Sequence, residues 1–149
     1  MSNVLKYSIA VCCVFFIVNA TAQQTNRVLA KDVFFAINEY RKQKQLITLV
    51  WSEKASIIAA QHSKNMASNK VAFSHTGFVQ RCKAIYKIFG NTGTAENIIM
   101  GVNTAFQALS QWQISAGHNK NMLGVYTFTG VGVAKDANGY FYITQIFIQ

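Results

Sequence analysis

The residues that close the chain, YFYITQIFIQ, are apolar on both alternations. Tyr140, Tyr142, Ile146 and Ile148 fall on one side and Phe141, Ile143 and Phe147 on the other. A strand patterned in this way is usually covered on both faces, so helices should lie above and below its sheet. GVGVAKDAN supplies a strand just before it, and Asn138-Gly139 between the two is a hairpin turn. The upstream chain is patterned for helices. The predicted fold class is therefore α+β, a three-layer α-β-α sandwich with a C-terminal β-hairpin.

Four helices can be placed. DVFFAINEYRKQ puts Val33, Ile37 and Tyr40 on one face with Asp32 as its N-cap. Leu46 to Trp51 reads as a connector. Ser52 then caps a longer helix in which Glu53 suits the positive end, and Ala55, Ile58, Ala59, His62 and Met66 form an inward stripe. A third helix is expected from about Val79 to Phe89, with Val79, Cys82, Tyr86 and Phe89 inward and Gly90 ending it. A fourth opens at Thr104, where Thr104-x-x-Gln107 has the form of a capping box, and it carries Ala105, Ala108, Leu109 and Trp112 inward. No internal repeat, low-complexity segment or phosphate-binding glycine loop is present, and there is no proline.

The N-terminus reads as an export segment. Lys6, the apolar run YSIAVCCVFFIV and the small-residue site NATAQ have the order of a signal peptide, with cleavage expected after Ala22. The apolar run is shorter than the roughly 20 residues a spanning helix needs. The expected organisation is thus a signal peptide over 1–22, a short polar lead-in over 23–31 and one domain over 32–149, released outside the cell or into a periplasm as a monomer without a transmembrane segment. The remaining length suits a single domain that buries about two-thirds of the surface its unfolded chain exposes.

Only Cys82 of the three cysteines then remains, so the domain must hold without an internal disulfide, and Cys82 is expected to be a buried, inert thiol. The formal net charge is +9, one unit less once Lys6 is removed. Such a charge favours anionic surfaces but names no partner, and no nucleic-acid recognition motif accompanies it. The one local cluster, Arg41-Lys42-Gln43-Lys44, reads as a solvated helix end.

The chemistry centres on TAENII. Only five carboxylates occur in the chain, and Glu96 stands among isoleucines, far from the others. A carboxylate heading into an apolar run is either solvated or a buried acceptor with partners. His75 in FSHTGF and His118 in SAGHNKNML both lie in short polar breaks, where sites tend to be assembled, whereas His62 sits on the apolar stripe of the second helix as a core or groove histidine. Two loop histidines and one glutamate could hold zinc with an open position, or form a hydrogen-bonded acid-base cluster.

The order of segments resembles the CAP superfamily, the cysteine-rich secretory, antigen 5 and plant pathogenesis-related proteins, and more closely its compact bacterial branch. The matching pieces are INEYRKQKQL with LVWSEKA, AAQHSKNMA, VAFSHTGF, TAENIIMG, QWQISAGHNKNML and GVGVAKDANGYFYITQIF. The resemblance implies an α-β-α sandwich with a shallow cleft carrying two histidines and two acids, which in some members bind a divalent metal. Matched by motif, His75, Glu96 and His118 take three of these places. The fourth falls on Ser115, where the acid is absent. Ser74, Asn97 and His62 are neighbours that could hold the triad in place, and zinc or another divalent cation is the implied cofactor candidate.

Three functions compete at this level. The first is a secreted, non-enzymatic binding module whose cleft takes a ligand, lipid, glycan or peptide, or a metal. Lipid or sterol binding is what the resemblance implies for some eukaryotic members. No nucleophile elbow accompanies Ser74 or Ser115. The second is a metal-dependent hydrolase of peptide or cell-wall bonds, with His75 and His118 as ligands and Glu96 as ligand or base. The third is a cationic interaction protein with a structural triad.

Overall fold

The structure, a computed structural model, describes the backbone from residue 3 onward and the side chains from Thr21 onward. The export signal expected over 1–22, with Cys12 and Cys13, lies almost wholly outside the described side chains. Five helices and a four-stranded sheet follow one another as α1 (Asn3–Gln43), β1 (Val50–Trp51), α2 (Glu53–Ala67), α3 (Phe78–Phe89), β2 (Thr94–Val102), α4 (Ala105–Ile114), α5 (Ala116–Met122), β3 (Phe128–Lys135) and β4 (Phe141–Ile148). Strand order is β1-β3-β4-β2, with β1 parallel to β3 and the other pairings antiparallel.

β4 is the central element that its sequence predicts: every residue from Phe141 to Ile148 is buried. Phe141, Ile143 and Phe147 join the layer formed by α1 and α4, where Val33, Ile37, Tyr40, Ala108 and Trp112 are buried. Ile146 and Ile148 face the opposite layer with Ala55, Ala59 and Ile85 of α2 and α3. Tyr142 completes that side with Met66. The three-layer sandwich is thereby closed.

α2 sits directly on β3. A methyl group on Gly132 would lie 1.9 Å from the Ala60 nitrogen, and one on Gly130 2.3 Å from the Ser56 nitrogen. Two glycines on one face of the strand let the helix backbone descend onto the sheet. Ser63 Oγ, fully buried, donates to the Gly132 carbonyl at 3.0 Å and locks the contact.

Several local expectations hold. Ser52 Oγ caps α2 through Ala55 N–H at 3.2 Å, and Thr104 and Gln107 form the capping box of α4. Gly139 carries the positive φ of the hairpin turn.

Others need correction. The segment 23–31 is helical, and Asp32 lies inside α1 instead of capping it, because Leu29 and Ala30 extend the buried stripe of Val33 and Ile37 one turn upstream. The connector over 46–51 contributes strand β1, held by Asn38, whose side-chain amide bonds both Leu49 N–H at 2.8 Å and Leu49 O at 3.0 Å. α3 is rotated from its expected face: Val79 and Tyr86 are exposed and Ile85 is buried. Apolar residues on more than one face permitted two helical registers there, and contact with α2 selects the Ile85 face.

Arg41 is also no solvated helix end. It is 2% exposed, its Nε donating to Ile47 O at 2.9 Å and its Nη1 to Met122 O at 2.8 Å and Gly124 O at 2.9 Å. These carbonyls lie in the loop after α1 and at the C-terminal end of α5, and the guanidinium fastens both to the end of α1.

Candidate functional site

β2 is an edge strand, and the site is built around it from both faces of the sheet. Glu96, paired with Ile146 in register, points toward the α2/α3 layer with its side chain only 1% exposed. His75, in the loop between α2 and α3, donates from Nδ1 to Oε1 at 2.8 Å. An ionised carboxylate only accepts, so Nδ1 carries the proton and Nε2 keeps a lone pair in the neutral ring. Arg81 on α3 completes the arrangement: its Nε donates to Oε2 at 2.6 Å and its Nη2 to Oε1 at 2.7 Å. Arg81 also reaches Thr76 O at 3.0 Å, tying the loop to the first turn of α3.

Arg81 is the residue that sequence reasoning missed. Its basic charge is unremarkable in a chain with 14 lysines and arginines. The available signal was the demand of Glu96 itself, since a buried carboxylate is best matched by the planar fork of an arginine. Fifteen residues of separation hid the pair.

His118 belongs to the other layer. It lies within helix α5 and not in a loop, because Asn119 N–H and Leu123 N–H close turns onto Ser115 O and Asn119 O. Its ring tilts against Trp112 at 6.3 Å between centroids. Asn97, fully buried, holds the helix by donating to the His118 carbonyl at 3.1 Å, and Asn121 bonds Asn97 Oδ1 at 2.9 Å. Burial pushes the His118 pKa down, and His75 is close enough to lower it further. His118 makes no hydrogen bond to Glu96 among the described residues, so the expected triad is a His75–Glu96–Arg81 knot with His118 across the strand.

The margin of β2 is closed by side chains. Trp112 Nε1 donates to Ile98 O at 3.2 Å and Asn121 Nδ2 to Glu96 O at 3.3 Å. Beside them lies a cavity of about 380 Å³ lined by Phe73, Ile98, Met100, Trp112, Ser115 and His118, among others. Ser115, at the place where the acid is absent, thus belongs to the cleft. Ser74 and His62 do not line this cavity; the Ser74 carbonyl accepts from His62 Nε2 at 3.0 Å.

Glu96 as placed does not fit the role of a metal ligand, because both oxygens are engaged by Arg81 and His75. Among the described residues no group of three or more His, Cys, Asp or Glu side chains is arranged to hold a metal ion. Cys82 is only half-buried. Burial, with the Glu96 charge nearby, pushes its thiol pKa up, which disfavours the reactive thiolate.

Residues 34–147 match the family described as CAP, the cysteine-rich secretory protein family. Comparison with curated proteins gives no match. Among solved structures, an extracellular protein containing an SCP domain from Bacillus anthracis aligns at a TM-score of 0.74 and 28% identity, covering 86% of this chain and 42% of that one. A cysteine-rich secretory protein from Staphylococcus aureus aligns at 0.68 and 22% identity, over 83% and 38% of the two chains. An outer surface protein from Borrelia burgdorferi aligns at 0.69 and 20%, over 80% and 90%. The chain spans about two-fifths of the first two, and the last two likenesses show the fold alone.

Proposed function

The chain belongs to the cysteine-rich secretory protein family, CAP, and from that premise we propose that it works outside the cytoplasm as a binding module, holding a ligand in the β2-edge cleft without turning it over. The observation that carries this reading is the commitment of Glu96. Its carboxylate gives both oxygens to Arg81 and His75, and freeing it to activate water would strand a guanidinium that is itself largely buried. The site is a bracket. It holds the His75 loop and α3 beside a cavity whose volume lies within the roughly 300–1,000 Å³ usual for small-ligand sites. Phe73, Ile98, Met100 and Trp112 offer an apolar body-binding surface, with His118 and Ser115 as the polar contacts, so a lipid or an apolar peptide segment suits it better than a glycan.

An extracytoplasmic place is supported by the export pattern of the N-terminus and by the extracellular description of the Bacillus anthracis protein. Native mass spectrometry of the protein purified from its expressing cells, with thermal shifts against lipids and peptides, tests the reading. Retention of a ligand that is lost in Trp112→Ala or Phe73→Ala supports it. No retained molecule and no shift with either class would remove it.

A second reading rests on the two histidines. Glu96 fixes the tautomer that leaves Nε2 free, the orientation usual for metal-bound imidazoles, and burial favours a neutral His118. His75 and His118 would then be the donors for a divalent cation such as zinc, with Glu96 outside the ligand set. Zinc at about 100 times its dissociation constant should add roughly 2.7 kcal/mol of stability, read as a melting-point rise that His118→Ala abolishes.

A further inference from the structure

A groove of about 490 Å³ lies between α2 and α3, and it shares no lining residue with the β2-edge cleft. Its apolar walls are Ile57, Ile58, Val71 and Ala84. Gln61 and Asn65 stand at the rim, bonded to each other at 3.0 Å.

His62 is the most deeply buried lining residue, at 3% exposure. Its Nε2 meets the Ser74 carbonyl at 3.0 Å. A carbonyl only accepts, so Nε2 carries the hydrogen and Nδ1 of the neutral ring is a bare acceptor. No described group donates to that nitrogen. Burial lowers the His62 pKa, and the Arg81 charge lowers it further. Arg81 is the only charged residue lining the groove, and its fork is occupied by Glu96 and Thr76.

The groove therefore presents one unpartnered ring acceptor among apolar walls, with no free charge of either sign. We propose that this groove binds an uncharged aliphatic molecule whose hydroxyl or amide N–H donates to His62 Nδ1. A carboxylate would set lone pair against lone pair. An ammonium would be desolvated beside the Arg81 charge.

The test is an NMR titration of the full, isotopically labelled chain with 1-octanol, octanoate and octylamine, following the methyl groups of Ile57, Ile58 and Val71 and the two ring nitrogens of His62. Octanol is expected to saturate, moving the Nδ1 resonance while the ring stays neutral. Octanoate and octylamine should bind at least tenfold more weakly. Ile57→Glu, at an exposed position, should weaken octanol at least tenfold without lowering the melting point. Non-saturating octanol shifts, an unmoved Nδ1, or binding indifferent to Ile57→Glu would each overturn the proposal. Octanoate binding with a protonated His62 would overturn the ligand class.

Discussion

Arg81 grips both carboxylate oxygens of Glu96, at 2.6 Å and 2.7 Å, across fifteen residues of sequence. The Glu96 side chain is 1% exposed and that of Arg81 11%. Glu96→Gln should therefore cost about 3–5 kcal/mol, since it leaves a largely buried guanidinium without its counter-charge. Urea denaturation measures the loss. Replacing both residues, as Arg81→Met with Glu96→Leu, should restore much of it, and a double variant no more stable than the single one would refute the pairing as its source.

Arg41→Lys should cost about 2–3 kcal/mol. The three carbonyls that Arg41 bonds belong to two segments, the loop after α1 and the C-terminal end of α5, and one ammonium lacks the planar fork that reaches them together. Hydrogen exchange should show faster opening of the backbone around Ile47 and Gly124 than elsewhere. Uniform acceleration would argue against a local fastening.

Gly132→Ala should destabilise by more than the roughly 1–3 kcal/mol typical of overpacking, because the added methyl meets helix backbone and not a flexible side chain. Gly117→Ala, where the added methyl meets nothing within 4 Å, is the matched control for thermal unfolding. Equal melting points for the two variants would contradict the close approach of α2.

Stability should fall as the pH drops below about 6.5, the ordinary histidine value. Burial lowers the folded-state pKa of both His62 and His118. Between the unfolded and folded values the unfolded chain binds more protons, so acidification favours unfolding there, and the contribution is fully present only above the unfolded value. Melting points from pH 8 to 5 should show this decline, and His118→Gln should flatten part of it.

The sandwich was legible because its strongest signals are local. Ser52, Thr104 and Gly139 mark their boundaries, and β4 announces its burial in its own alternation. His75 and Glu96 meet as their motifs imply. What stayed hidden depends on tertiary choice. Arg41 and Arg81 look like any surface cations until the carbonyls and the carboxylate they satisfy are in place. α3 carries apolar residues on more than one face, so only its neighbour α2 decides that Ile85 turns inward. His118 sits in a helix because backbone bonds closed over a segment whose polar composition resembles a loop.

The side chains of Trp112 and Asn121 have a wider consequence. Sheet margins commonly recruit a further strand by main-chain pairing. At Glu96 and Ile98 the carbonyls are already taken, so a visiting peptide finds no ladder there to extend. Whatever docks beside β2 is read by the shape and polarity of its own groups, and the same two caps shield this border from self-templated polymerisation.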